Sequence, residues 1–379
     1  MPTFIKRILG LVVIVVLLVG LNAFMSRDGL FGFGLPYYYA ELLNLTGISI
    51  ILAVSLNLIT GFTGQFSIGH AGFMAVGAYS SVFMTVYYSQ SAEQWLTGLV
   101  GSTVAQALVF LVIVLFGALI AALAGLVVGI PSLRLRGDYL AIVTLGFAEI
   151  IRIIILNIDR VGGATGFRGE VAPWEGRPII PQYADFLWIG GFAVITIVVV
   201  HNIVRSDVGR ALISIREDEL AAEAMGINTT RYKVLSFVIS SAFAGIAGVL
   251  FGHYRQFLHT NDFQFIRSIE IIIMIVLGGM GSITGAVLGA IVITILPELL
   301  RQLPGNLIHY RLVIYSALLV VIMLTRPQGV MGAREFGIPW LKRPQRRPEG
   351  DKPAGEKGVP IAQNVSSSAL DGAEEIEHR

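Results

Sequence analysis

The chain has no cysteine, which excludes disulfides, thiol nucleophiles and thiolate metal sites. Charge is scarce: Asp, Glu, Lys and Arg make up 14% of its 379 residues, where a soluble domain carries about 25%. The phosphate cradle G-x-x-x-x-G-K-[ST] is missing, so no ATP-hydrolysing site of that type is present. HExxH, paired-histidine metal spacing and arginine-rich nucleic-acid patterns are missing too. No catalytic residue, metal or cofactor is therefore expected, and no nucleic-acid partner. What is there is 55% hydrophobic, with a mean hydropathy of +0.75. That is the composition of a polytopic membrane protein, with the lipid bilayer as its solvent. The 43 glycines suit membrane helices, which use glycine for close approach and for breaks.

A helix needs roughly 20 apolar residues to cross the hydrocarbon core. Ile8–Met25 is an uncharged run after Lys6 and Arg7 and reads as a first anchor. Between Glu41 and Glu93 no Asp, Glu, Lys or Arg occurs, a length right for two crossings. Further spans are read at 94–133 (one long helix with an interfacial lead-in), 139–158, 186–204, 234–252 and 312–325. Two more meet near Gly278–Gly281 within 262–300. The positive clusters are Lys6/Arg7, Arg134/Arg136, Arg205/Arg210/Arg216, Arg231/Lys233 and Arg326 onward. They fall on one side, the cytoplasmic side, only with this count. Arg255 and Arg267 are the exceptions and fall outside. The expectation is an all-α polytopic membrane protein of about ten transmembrane helices, both termini cytoplasmic. Residues 1–30 form the anchor and 31–330 the transmembrane domain, with an inner loop at 207–233 and an outer loop at 159–185. Residues 331–379 form a cytoplasmic tail, disordered after about residue 344.

Two glycine-dense segments interrupt the apolar runs. The first offers Gly61, Gly64, Gln65, Ser67, Gly69, His70 and Gly72; the second offers Gly278, Gly279, Gly281, Ser282 and Gly285. Unwound backbone at membrane depth is tolerated where protein buries it or a cavity wets it, and in transporters such breaks face substrate. These residues are candidates for a translocation path; the alternative is that their glycines serve helix packing alone. Glu149 and Arg152, spaced i,i+3, read as a structural pair or as part of a proton relay with His70 and Asp138.

The loop DVGRALISIREDELAAEAMGINTTRYK is the most informative stretch. Ser214 and Glu217 have capping-box spacing, which predicts a helix from about Ile215, stopped at Gly226. Its charges are mostly acidic, so a protein groove suits it better than an anionic lipid surface; packing on its own transmembrane ends is the alternative.

GRALISIREDELAAEAMGINTTRYKVLSFVISSAFAGIAG resembles the signature region of branched-chain amino-acid ABC-transporter permeases, and of the larger of their two permease subunits. LNLITGFTGQFSIGHAGFMAVGAY, LRLRGDYLAIVTLGFAEIIRI and IVLGGMGSITGAVLGA resemble that family in the same order, over roughly residues 40–330. The resemblance implies that Arg216, Glu217, Asp218, Glu223, Ala224 and Gly226 belong to a cytoplasmic coupling helix seated in a groove of an ATPase subunit. It further implies a second permease subunit, two ATP-binding subunits, an external solute-binding protein and a place in the bacterial inner membrane. The spacing of Glu223-Ala224 and Gly226 is shorter than in the general importer loop. VGGATGFRG departs from the family's TGG-x-x-G. An ATP-driven importer of branched-chain or other small amino acids is the first reading. A permease for urea or short amides shares these motifs; an ion-coupled secondary transporter and a passive channel rank below.

Overall fold

The computed structural model describes residues 19–22, 36–132, 138–168 and 180–301, and scattered positions from 314 to 332. The expectations for Lys6, Arg7, Arg134, Arg136, most of 8–25 and 312–325, the middle of the outer loop and the tail lie outside the described residues, as does the side chain of Asp138.

The described chain is almost entirely helix. In order come α1 (Tyr37–Asn57, prolonged by a π turn, Leu58–Phe62), α2 (His70–Met84), α3 (Gln90–Val100), α4 (Ser102–Ser132) and α5 (Asp138–Leu156). These are followed by α6 (Phe186–Val204), α7 (Asp207–Glu217), α8 (Glu219–Ala224), α9 (Thr229–Arg255), α10 (Phe265–Gly278) and α11 (Ile283–Arg301). Six helices among the described residues are long and apolar enough to cross a membrane: α1 with its π turn, α4, α5, α6, α9 and α11. At 15 and 14 residues, α2 and α10 fall short of a full crossing; each lies beside one of the glycine breaks. The stretch 94–133 resolves into the separate helix α3 and one long helix, α4.

Inside a bilayer no hydrophobic drive pushes helices together, so close packing of small residues does the work. α9 is the pillar for that packing. The apolar windows of α1 and α9 are 72% buried, against 28–33% for α4, α5, α6 and α11, which makes α1 and α9 the inner pair. A Cβ at Gly77 on α2 would lie 2.3 Å from the Gly245 carbonyl oxygen of α9, and one at Gly248 would lie 2.0 Å from the Met74 carbonyl oxygen. On the α4 side, Gly117 and Gly125 sit against Val249 and Ser241. α9 is thus gripped on two sides at backbone distance.

The bundle has two ends, set by α9. Thr229 marks one, beside α7 and α8; Arg255 marks the other, about 40 Å away at 1.5 Å per residue. At the Arg255 end, Arg255 pairs with Glu41, and Phe167–Arg168 pair antiparallel with Phe257–Leu258. There Tyr183 donates to Glu93 (2.7 Å), joining the start of α6 to α3. Burial, together with that carboxylate, pushes the Tyr183 hydroxyl up to about 12, so the donor keeps its proton at neutral pH.

The packing around α9 predicts that Gly77→Ala costs about 1–3 kcal/mol through overpacking. Gly191→Ala on α6, where the added atom meets nothing within 4 Å, is neutral or stabilising by up to about 1 kcal/mol. Thermal unfolding of the detergent-purified chain checks both.

Candidate functional site

The site begins where α1 stops. After the π turn, Gly64 takes a left-handed φ of +73°, and the chain runs without helix from Thr63 until α2 starts at His70. His70 is buried, with its Nε2 2.9 Å from the Ser55 hydroxyl. That hydroxyl donates to the Leu52 carbonyl, so it accepts from His70. Ser55 lies seven residues before Phe62, about 10 Å up the helix. Residues 63–69 therefore fold back into the bundle and launch α2 from inside it.

The second break is the tip of the α10–α11 hairpin. Gly279 and Gly281 have φ of +116° and +82°, values open to glycine and costly for other residues. Gly278 and Gly285 face each other: a Cβ on Gly278 would lie 1.9 Å from the Gly285 carbonyl oxygen. The Ser282 hydroxyl, fully buried, accepts from the Gly285 N–H at the start of α11. Val330 and Met331 donate to the last carbonyls of α10, Leu277 and Gly278, satisfying helix-end acceptors that would otherwise be orphaned.

These two breaks meet, and a side chain absent from the sequence-based candidates joins them. The Asn57 amide donates to the Ser282 carbonyl (3.0 Å) and accepts from the Gly281 N–H (3.0 Å). Asn57 is fully buried. A Cβ on Gly61 would fall 1.9 Å from the Asn57 Oδ1 and 2.4 Å from the Gly281 nitrogen, so glycine is required for this contact. Arg216 closes the junction. Its guanidinium donates to the Gly61 carbonyl (2.9 Å) and to Glu217 (2.7 Å), and its side chain lies against Gly64 and Gly281.

The remaining candidates divide by location. Gly69 and Gly72 pack against Thr144 and Ala148 of α5, and the Thr144 hydroxyl accepts from the Ile68 N–H (3.1 Å). Ser67 and Gln65 are buried, and the Gln65 side-chain oxygen has no partner among the described residues. Glu149 and Arg152 pair with each other at 2.7 Å.

The inner loop departs from the sequence expectation. No helix starts at Ile215. α7 begins at Asp207, and the chain breaks at Asp218, whose carboxylate caps α8 by accepting from Leu220 and Ala221. Ser214 forms no cap because its hydroxyl donates back to the Arg210 carbonyl (3.0 Å). Gly226 ends α8 with φ +84°. Glu223 accepts from Thr229 (2.7 Å) and Glu219 pairs with the buried Lys233 (2.6 Å), so α8 is bolted to the first turns of α9. Leu220 and Met225 are 63% and 82% exposed; Ala221 and Ala224 are exposed beside them.

The profile of a family described as branched-chain amino acid transport system, permease component, matches residues 38–323. This chain belongs to that permease family. The permease is 33% identical over 352 residues to the high-affinity branched-chain amino acid transport system permease protein LivM of Escherichia coli K12, covering 86% of this chain and 75% of that one. With LivM of Salmonella typhimurium it shares 32% identity over 342 residues, 84% and 73% of the two chains. A shorter match, 35% over 130 residues, covers 34% of the permease and 41% of LivH from Escherichia coli K12. No solved structure matches the permease.

The junction predicts that Asn57→Ala destabilises the permease by about 1–3 kcal/mol, because it leaves the Gly281 N–H and the Ser282 carbonyl buried without their partner. Asn57→Asp, which keeps the acceptor and loses the donor, is also destabilising. Thermal unfolding reports both, and an unchanged midpoint in Asn57→Ala contradicts the clamp.

Proposed function

We propose that this permease is one half of the membrane pore of an ATP-driven importer, and that it passes branched-chain or other small amino acids inward across the bacterial inner membrane. Membership of the permease family and the named activity of the LivM relatives support the substrate class. The match to LivH supports a second, related permease subunit as its partner. Two ATP-binding subunits and an external solute-binding protein complete the assembly, as the family resemblance implies; the absence of a phosphate cradle from the sequence fits ATP hydrolysis on a separate subunit.

The Arg216 end is the cytoplasmic face. Arg205, Arg210, Arg216, Arg231 and Lys233 gather there, as the positive-inside rule requires. The carrying observation is the hydrogen bond from Arg216 to Gly61. It ties the loop that bears exposed Leu220 and Met225 to the place where both broken helices meet. The ATP-binding subunit covers Leu220, Ala221, Ala224 and Met225. Its movement is passed through Arg216 to both breaks, and through Glu219–Lys233 and Glu223–Thr229 to α9. Glu223 acts within the chain, holding α8 on α9, while the apolar face does the docking.

Urea or a short amide is the second substrate reading, since permeases for these share the sequence motifs. ATPase activity of the purified complex with its binding protein distinguishes them: stimulation by leucine is expected, and stimulation by urea alone removes the amino-acid reading. Arg216→Ala should lower the transport obtained per ATP hydrolysed by at least about fivefold, with the ATP-binding subunit still bound. Leu220→Asp with Met225→Asp should release that subunit on size exclusion. Normal coupling in the first variant and normal retention in the second overturn the lever.

A further inference from the structure

Arg255 and Arg267 lie at the end of the bundle opposite the Arg216 junction, each beside a carboxylate. Both line a cleft of about 550 Å3 between α1, α9, α10 and α11 at the Arg255 end, a volume inside the roughly 300–1,000 Å3 of small-molecule sites. The geometry points to a binding site here for a small zwitterion with an apolar tail, an α-amino acid such as leucine. This inference rests on the import reading above and gives it an outer substrate site, whose wall at Ser49 lies about 12 Å along α1 from Asn57 of the junction.

The cleft holds both signs of charge. Arg255 pairs with Glu41, and Arg267 with Glu270 at 2.8 Å. Each pair engages one guanidinium nitrogen, and a guanidinium has five N–H donors, so a ligand carboxylate finds donors on the same two arginines. Asp262 and Glu270 line the cleft as acceptors for an ammonium. A third acceptor is built into the wall. Pro297 lies inside α11 and lacks the N–H that would bond the Ile293 carbonyl. Next to it, the Thr294 hydroxyl is buried with no partner among the described residues. Ile293, Thr294 and Pro297 all line the cleft.

Polarity changes along the cleft in the sense an amino acid needs. Arg267, Glu270 and Met274 share one face of α10 at i, i+3 and i+7, so the wall passes from charge to a buried thioether within about 10 Å. Leu45, Phe251 and Ile293 complete the apolar part. A neutral amide such as urea has no use for two arginines facing two carboxylates, and an inorganic anion has no use for the apolar depth.

The test uses the complete transporter in nanodiscs, without binding protein, labelled with a diazirine analogue of L-leucine and mapped by mass spectrometry. Adducts are expected on peptides that carry Phe251, Ile266 or Met274, competed by leucine and not by urea. Arg267→Gln should cut labelling about tenfold and Thr294→Val, which keeps the side chain's shape, severalfold. Arg210→Gln at the far end should leave it unchanged. No adducts in the cleft, labelling undiminished in both cleft variants, or displacement by dihexanoylphosphatidylcholine in place of leucine overturns the site. Leucine uptake by the wild-type transporter with its binding protein is measured alongside. Uptake without cleft labelling removes only the site; no uptake removes the import reading and the site with it.

Discussion

Backbone that leaves the helix inside a membrane must find its hydrogen bonds within the protein, and the rest of this structure is arranged around meeting that demand twice in one place. The Gly61 and Gly281 breaks come together so that one amide, Asn57, satisfies a donor and an acceptor of the second break. One guanidinium, Arg216, satisfies a carbonyl of the first. Glycine is needed at the contact because a Cβ on Gly61 has no room between Asn57 and Gly281. The glycine density that looks like looseness in the sequence therefore makes a tight joint.

The same joint explains why the inner loop is well placed to transmit force. A short helix free in water is marginal. α8 is held instead by an ion pair between buried Lys233 and half-buried Glu219, and by Thr229–Glu223. Removing Glu219 leaves the Lys233 ammonium buried without its partner, which is destabilising. In the proposed importer, these ties are what would carry a push on the exposed Leu220 and Met225 into α9 and the breaks. α9 in turn is packed at backbone distance on α2 and, through Gly245 and Ala121, on α4, so it moves with its neighbours.

Much of this was legible in the sequence. Hydropathy gave the long helices, and glycine clusters marked both breaks. Gly69 and Gly72 pack against α5, and Gly278 packs against Gly285. Asn57 was not singled out, because its partners lie 224 and 225 positions away and no local pattern announces a contact of that range. The helix boundary in the inner loop was misplaced because two capping residues compete four positions apart. Ser214 had the spacing, but its hydroxyl bonds back to its own helix, while Asp218 reaches the free N–H groups. Glu223 accepts a hydrogen bond from Thr229 of the same chain, a partner six positions on that the loop pattern did not announce.

The central claim is that the inner loop and both breaks move as one body. The chain has no cysteine, so spin labels can be placed at will. Pairs at Met225 and Met280, both exposed, and at Met225 and the exposed Leu187 of α6, are read by double electron–electron resonance in the assembled transporter with and without ATP. A Met225–Met280 distance that nucleotide leaves unchanged, with Met225–Leu187 shifting, is expected. A Met225–Met280 distance that changes on ATP binding contradicts that claim.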